Sequence, residues 1–103
     1  MHIIMKKTLL AFCRTHASVR QNLLSWHDET EKAEWSKPNE VIKQFPFADI
    51  IDSKRVVFNI KGNHFRLVAD IEYHYKKVFI VWIGTHADYD KINVKTIRYV
   101  KTH

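Results

Sequence analysis

The sequence predicts an α+β fold: two N-terminal helices packed on a mainly antiparallel sheet of about four strands. Three observations carry this expectation. Apolar residues recur at helical spacing through the first third of the chain, Pro38 interrupts that pattern, and after residue 55 the period shortens to strand-like alternation. The chain has 103 residues, so residues 1–103 read as one small domain with little room for a second core.

The elements follow in order. HIIM (2–5) reads as a short first strand, and Leu9, Leu10, Phe12 and Cys13 at helical spacing predict a helix over residues 6–16. Val19, Leu23, Trp26, Thr30, Ala33 and Trp35 continue a looser stripe in a second helix, with Ser18 as its expected N-cap. Pro38 restricts Lys37 and breaks the run, after which EVIKQF fits one turn or a short helix ending before Pro46. RVVFNIKGNHFRLVADIEYHYKKVFIVWIG then divides into three strand-like segments at KGN and HYKK. Lys61-Gly62-Asn63 fits a tight hairpin turn. In the middle segment Phe65, Leu67, Ala69, Ile71 and Tyr73 share one face, with His64, Arg66, Val68, Asp70 and Glu72 on the other. VFIVWI is apolar on both faces, the pattern of a strand covered on both sides. The tail has Ile92, Val94, Ile97 and Val100, a spacing that fits either helix or strand.

Helices on one sheet face leave the other to be covered by something else or to form a groove. Asn59, Lys61, His64, Arg66 and the residues after Gly84 are expected on that second face.

Composition narrows the function. The apolar content of 46% is too high for a disordered chain. A single Cys13 excludes an internal disulfide and a cysteine-rich zinc module. No apolar run approaches the roughly 18 residues of a membrane span, and MHIIMKKTLLAFC lacks a cleavage pattern, which favours the cytoplasm. The net charge of +6 falls wholly in the second half: residues 1–52 balance seven basic against seven acidic side chains, and residues 53–103 carry ten against four. That asymmetry points to a polyanionic partner, with a basic surface kept for solubility as the plainer account.

The candidate chemistry gathers on a few side chains. Arg66 stays charged at any working pH, so it suits phosphate binding and charge stabilisation, or simply a salt bridge to Asp70 or Glu72. His86 follows a strand end, where a side chain is held firmly at an accessible edge and an imidazole can exchange protons; alternatively Thr85 is a cap and His86 only fills a first helical turn. Tyr89, three residues on, falls near His86 if the segment is helical. Asp88 and Asp90 fit capping or bracing, and with His86 they match no metal-ligand spacing. Among the seven histidines, His2, His16, His27 and His103 read as surface or terminal, His74 as part of a turn, and His64 as a second-rank partner of Arg66. Asn59 and Asn63 suit phosphate or base contacts, Asn63 equally a turn, and Lys61 adds positive potential. Tyr73 and Tyr75 suit RNA stacking or plain packing.

Two glycines cannot build a phosphate loop, and there is no serine elbow or cysteine pair. Arginine, histidine and tyrosine on a basic face fit metal-free RNA cleavage, in which the 2′-OH attacks its own phosphorus and no protein nucleophile or cofactor is needed.

VVFNIKGNHFRLV (56–68), VFIVWIG (78–84) and THADYDKI (85–92) together resemble the HigB family of bacterial type II toxins, within the wider RelE-like toxin fold. The paired signatures F-N-x-x-G-N-x-x-R-L and T-H-x-x-Y-D, in this order, are more specific than either alone, and the resemblance extends over most of the chain. It implies a ribosome-dependent endoribonuclease that cleaves translated mRNA. It also implies an antitoxin of HigA type with a helix-turn-helix domain, so that operator DNA is met only through the complex. By the same resemblance Arg66 neutralises the scissile phosphate, and His86 supplies an acid, a base or a phosphate contact. Tyr89 orients or stacks, and Asn59, Lys61 and Asn63 line the cleft. The alternatives are a non-catalytic RNA- or ribosome-binding domain and a purely structural partner-binding protein.

Overall fold

The computed structural model describes residues 1–98. It is an α+β fold with a five-stranded sheet. Strand β1 (His2–Ile4) is followed by helix α1 (Lys6–Thr15), a 3-10 turn (Ala17–Val19), α2 (Arg20–Lys32) and α3 (Pro38–Gln44). Strands β2 (Asp49–Ile50), β3 (Arg55–Ile60), β4 (Phe65–Glu72) and β5 (Lys77–Thr85) come next, then the one-turn helix α4 (His86–Tyr89). The spatial order is β1-β5-β4-β3-β2, antiparallel throughout except that β1 runs parallel to β5.

The expectation of about four strands is thus short by one, the two-residue β2, which is too brief to show any alternation. The second helix stops at Lys32 rather than Trp35, because Ala33 is already extended. Ser18 is not its N-cap: it lies within the 3-10 turn, and α2 opens with no side-chain cap bond. Pro38 acts as foreseen, and α3 starts on it, where a missing N–H costs nothing.

The helices cover one sheet face. Leu9, Cys13, Leu23 and Trp26 bury there against Val56, Phe58, Leu67, Ala69, Ile71, Val78 and Ile80. Phe58 is the hub, with ring centroids of Trp26 and Phe45 each 5.2 Å away and that of Trp35 at 6.3 Å. Burying one such ring contributes about 1.5–3 kcal/mol before any aromatic pairing.

The second face is partly covered, by the chain that follows β5. Val57, Val68 and Val81 form a small cluster capped by Ile51, Trp82, Tyr89, Val94 and Ile97. β5 is an interior strand with apolar residues on both sides, as its composition suggested. A bulge adds to this: Val68 pairs with Trp82 and Ala69 with Ile80, leaving Val81 over. Val81 and Trp82 therefore share one face. Residues 91–98 carry neither helix nor strand; Val100 and His103 lie outside the described residues.

Arg55 fastens this covering segment. Its Nε and one terminal nitrogen donate to the two carboxylate oxygens of Asp70 at 2.8 and 2.9 Å, and its other terminal nitrogen donates to the carbonyls of Val94 (3.0 Å) and Ile97 (2.6 Å). A planar guanidinium can serve four acceptors in this way, and an ammonium cannot.

Candidate active site

The site is built at one end of the sheet, where the β3–β4 hairpin meets the end of β5. Lys61 and Gly62 both have positive φ (52° and 64°), which turns the chain sharply. The turn is longer than three residues: Ile60 pairs with Phe65, so Lys61 to His64 all lie in it. His64 is therefore not a strand neighbour of Arg66, as its alternation had suggested, but an exposed turn residue. The His86 N–H donates to the His64 carbonyl at 2.9 Å, joining the hairpin to α4.

Across β3, β4 and β5, Asn59, Arg66 and Gly84 stand in register on the open face. Arg66 is half-buried and donates to the carbonyls of Asn63 (3.1 Å) and Phe65 (3.3 Å). Its guanidinium carbon lies 5.9 Å from the centroid of the Tyr89 ring. Tyr89 in turn leans on Trp82, with centroids 6.1 Å apart. Arg66 pairs with neither Asp70 nor Glu72, which are held by Arg55 and Lys54.

Burial pushes the Tyr89 phenol above its usual range; the Asp49 and Asp90 carboxylates add to this, against an opposing pull from Arg66. The phenol thus keeps its proton at neutral pH.

His86 occupies the first turn of α4, and Thr85 caps that turn by accepting from the Asp88 N–H at 3.1 Å. The imidazole is half-exposed, and its Nδ1 lies 3.3 Å from an Asp90 carboxylate oxygen. The ring's Nε2 has no hydrogen-bond partner among the described residues. Asp88 pairs loosely with Lys91.

The structure brings Arg66 and Tyr89 into contact and places His86 one helical turn from Tyr89. Asn59 donates through its side-chain nitrogen to the Phe47 carbonyl at 3.0 Å, so it holds the loop after α3 against the sheet. Lys61 and Asn63 are exposed on the hairpin. Tyr73 and Tyr75 sit on the β4–β5 turn, at the sheet's other end, where Tyr73 packs on the helix-side core. Of the other histidines, His16 is half-buried and stacks on Phe12 at 4.0 Å, and His27 is half-buried with its pKa lowered by burial and by Lys6.

Three participants went unseen in the sequence. Asp49 acts on Tyr89 from β2, a strand with no readable signal. Trp82 and Gly84 form a unit, since a Cβ at Gly84 would meet the indole at 2.4 Å. The spacing W-x-G in a strand, two residues sharing a face with one side chain absent, was the available clue. Among the described residues no three His, Cys, Asp or Glu side chains group closely enough to hold a metal ion, and no helix is long and apolar enough to cross a membrane.

The chain is thus a small basic α+β domain with an arginine set against a tyrosine ring at one end of its sheet. Residues 19–92 match the family model described as HigB_toxin, RelE-like toxic component of a toxin-antitoxin system, and the chain belongs to this family. It is similar to the mRNA interferase HigB of Escherichia coli O6:H1 (strain CFT073), 31% identical over 94 residues that span 89% of this chain and 91% of the relative. The mRNA interferase toxin HigB of Escherichia coli K12 is 29% identical over 92 residues, 87% and 88% of the two chains, and the Shigella flexneri mRNA interferase HigB gives the same values.

Proposed function

We propose that the protein is a ribosome-dependent endoribonuclease that cuts translated mRNA and is neutralised by a HigA-type antitoxin. The antitoxin's helix-turn-helix domain would carry the complex to operator DNA. The observation that carries the reading is the Arg66 guanidinium held over the Tyr89 ring on the open sheet face. A fixed cation beside a protonated phenol suits a phosphate that gains charge as it reacts.

In this reading His86 Nε2 takes the 2′-OH proton while Asp90 steadies Nδ1. The 2′-oxygen attacks phosphorus and the bond to the 5′-oxygen breaks, leaving a 2′,3′-cyclic phosphate. Tyr89 gives its proton to the departing 5′-oxygen and is reprotonated from water. Arg66 balances the charge on the non-bridging oxygens. Lys61, Asn63 and His64 surround the entrance and guide the backbone.

The test is mRNA cleavage on translating ribosomes by the parent, Arg66→Ala and His86→Ala. The parent should cut and leave cyclic-phosphate ends. Each variant should fall by at least about a hundredfold. Undiminished cutting by both would overturn the site, and no cutting by the parent would favour a binding domain.

A further inference from the structure

We propose that the groove beside Phe47 is a nucleobase subsite, taking an unpaired base next to the phosphate held by Arg66. The proposal rests on the RNA-cleavage reading and adds where one base of the substrate goes.

The groove encloses about 530 Å³ between the loop after α3 and the β3–β4 hairpin. That is within the range of small-ligand clefts, about 300–1,000 Å³. Phe45 and Phe58 supply apolar wall, Asn59 and Asn63 supply amides, and Glu29 stands at one side. Phe47 is 82% exposed, and nothing in the core needs its ring. A flat hydrophobic side chain left in water at the mouth of a half-polar groove suits stacking on a base.

The groove adjoins the candidate site through two of its lining residues. Asn59 is the register partner of Arg66, and the Asn63 carbonyl accepts from the Arg66 guanidinium. Asn59 is also oriented. Its nitrogen must face the Phe47 carbonyl, so its Oδ1 points elsewhere, and that oxygen accepts no hydrogen bond among the described residues. A fixed acceptor beside a stacking ring fits the N–H groups along a base edge. Glu29 would repel a phosphate and accept from a base, which keeps the backbone on Arg66 and sends the base into the groove. A protein helix would need a row of anchors one turn apart, and Phe47 stands alone.

Cut sites should be mapped across many codons on translating ribosomes for the parent, Phe47→Ala and Phe47→Tyr. Uncleavable 2′-O-methyl trinucleotides should be titrated in parallel, with NMR shifts followed at the Phe47 ring and the Asn59 and Asn63 side-chain amides. Phe47→Ala should flatten the base preference at one position beside the cut by roughly tenfold, and Phe47→Tyr should retain it. The trinucleotides should shift the Phe47 and Asn59 signals in the parent. Because that readout needs no cleavage, a parent that binds but does not cut fails the enzymatic reading and leaves the subsite standing. A cut-site map unchanged in Phe47→Ala, with no shifts in the parent, overturns the subsite. So does a Phe47→Ala variant that keeps its cut-site map and loses only antitoxin binding, which would make the groove a protein contact.

Discussion

The indole of Trp82 fills the space that a Cβ on Gly84 would need, with ring atoms 2.4 and 2.5 Å from that position. Gly84 is buried in a strand, so its backbone cannot yield cheaply and the half-buried indole must swing aside. Gly84→Ala should cost about 1–3 kcal/mol in urea unfolding. It should also move Trp82 off Tyr89, which near-ultraviolet circular dichroism would register as a changed aromatic band. An unaltered spectrum and midpoint would show that the ring has other room.

Arg66 separates charge from shape. Arg66→Lys keeps a cation and loses the plane that lies over Tyr89, so cleavage should drop by more than about tenfold even though the charge is conserved. The stability change should stay near or below about 1 kcal/mol, since only hydrogen bonds to two backbone carbonyls are affected. Equal rates for arginine and lysine in single-turnover cutting would reduce its role to a point charge.

Tyr89 makes stability depend on alkaline pH. Its folded pKa is raised above the unfolded value near 10, so the folded state binds this proton more tightly. The resulting stabilisation is complete below about pH 10 and is lost as pH rises through the folded pKa. Tyr89→Phe, which cannot ionise, should lose less stability than the parent between neutral pH and about pH 11. Parallel curves for the two proteins would contradict the raised pKa.

Removing Asp70 should loosen a segment far along the chain. Asp70→Ala strands the Arg55 guanidinium, whose side chain is only 11% exposed, and should cost about 3 kcal/mol, the lower end for a broken buried pair because Asp70 itself is a third exposed. Arg55 also holds the Val94 and Ile97 carbonyls, so hydrogen exchange around residues 93–97 should quicken more than exchange in β4 or β5. Uniform acceleration would mean that the segment is not held by Arg55.

What could be read in advance followed from periodicity and from residues with restricted backbones. Leu9, Leu23 and Trp26 announced helices, Phe65 to Ile71 announced a two-faced strand, and Pro38 announced a break. Asn59, Arg66 and the segment after Gly84 were correctly expected on the open face. Position within a turn was less legible, because alternation put His64 beside Arg66 while the four-residue hairpin carries it outside the strand. Two kinds of relationship left no local trace. One is the action of Asp49 on Tyr89, made by a two-residue strand whose existence depends on its partner. The other is the reach of Arg55 to carbonyls about forty residues away, since carbonyls are the same in every sequence.

The extra residue at Val81 determines more than a local kink. Before it, even-numbered residues of β5 face the helices (Val78, Ile80); after it, odd-numbered ones do (Ile83). Gly84 reaches the open side, and α4 starts with its present phase, only because of that one-residue slip. A different side chain at position 81 would leave this parity intact. Deleting the residue would remove the bulge and leave Trp82 and Gly84 on the open side, whereas a regular ladder with every residue kept would pair Trp82 with Leu67 and turn it toward the helices. The position of Gly84 therefore depends on where the ladder slips rather than on which side chain stands at position 81.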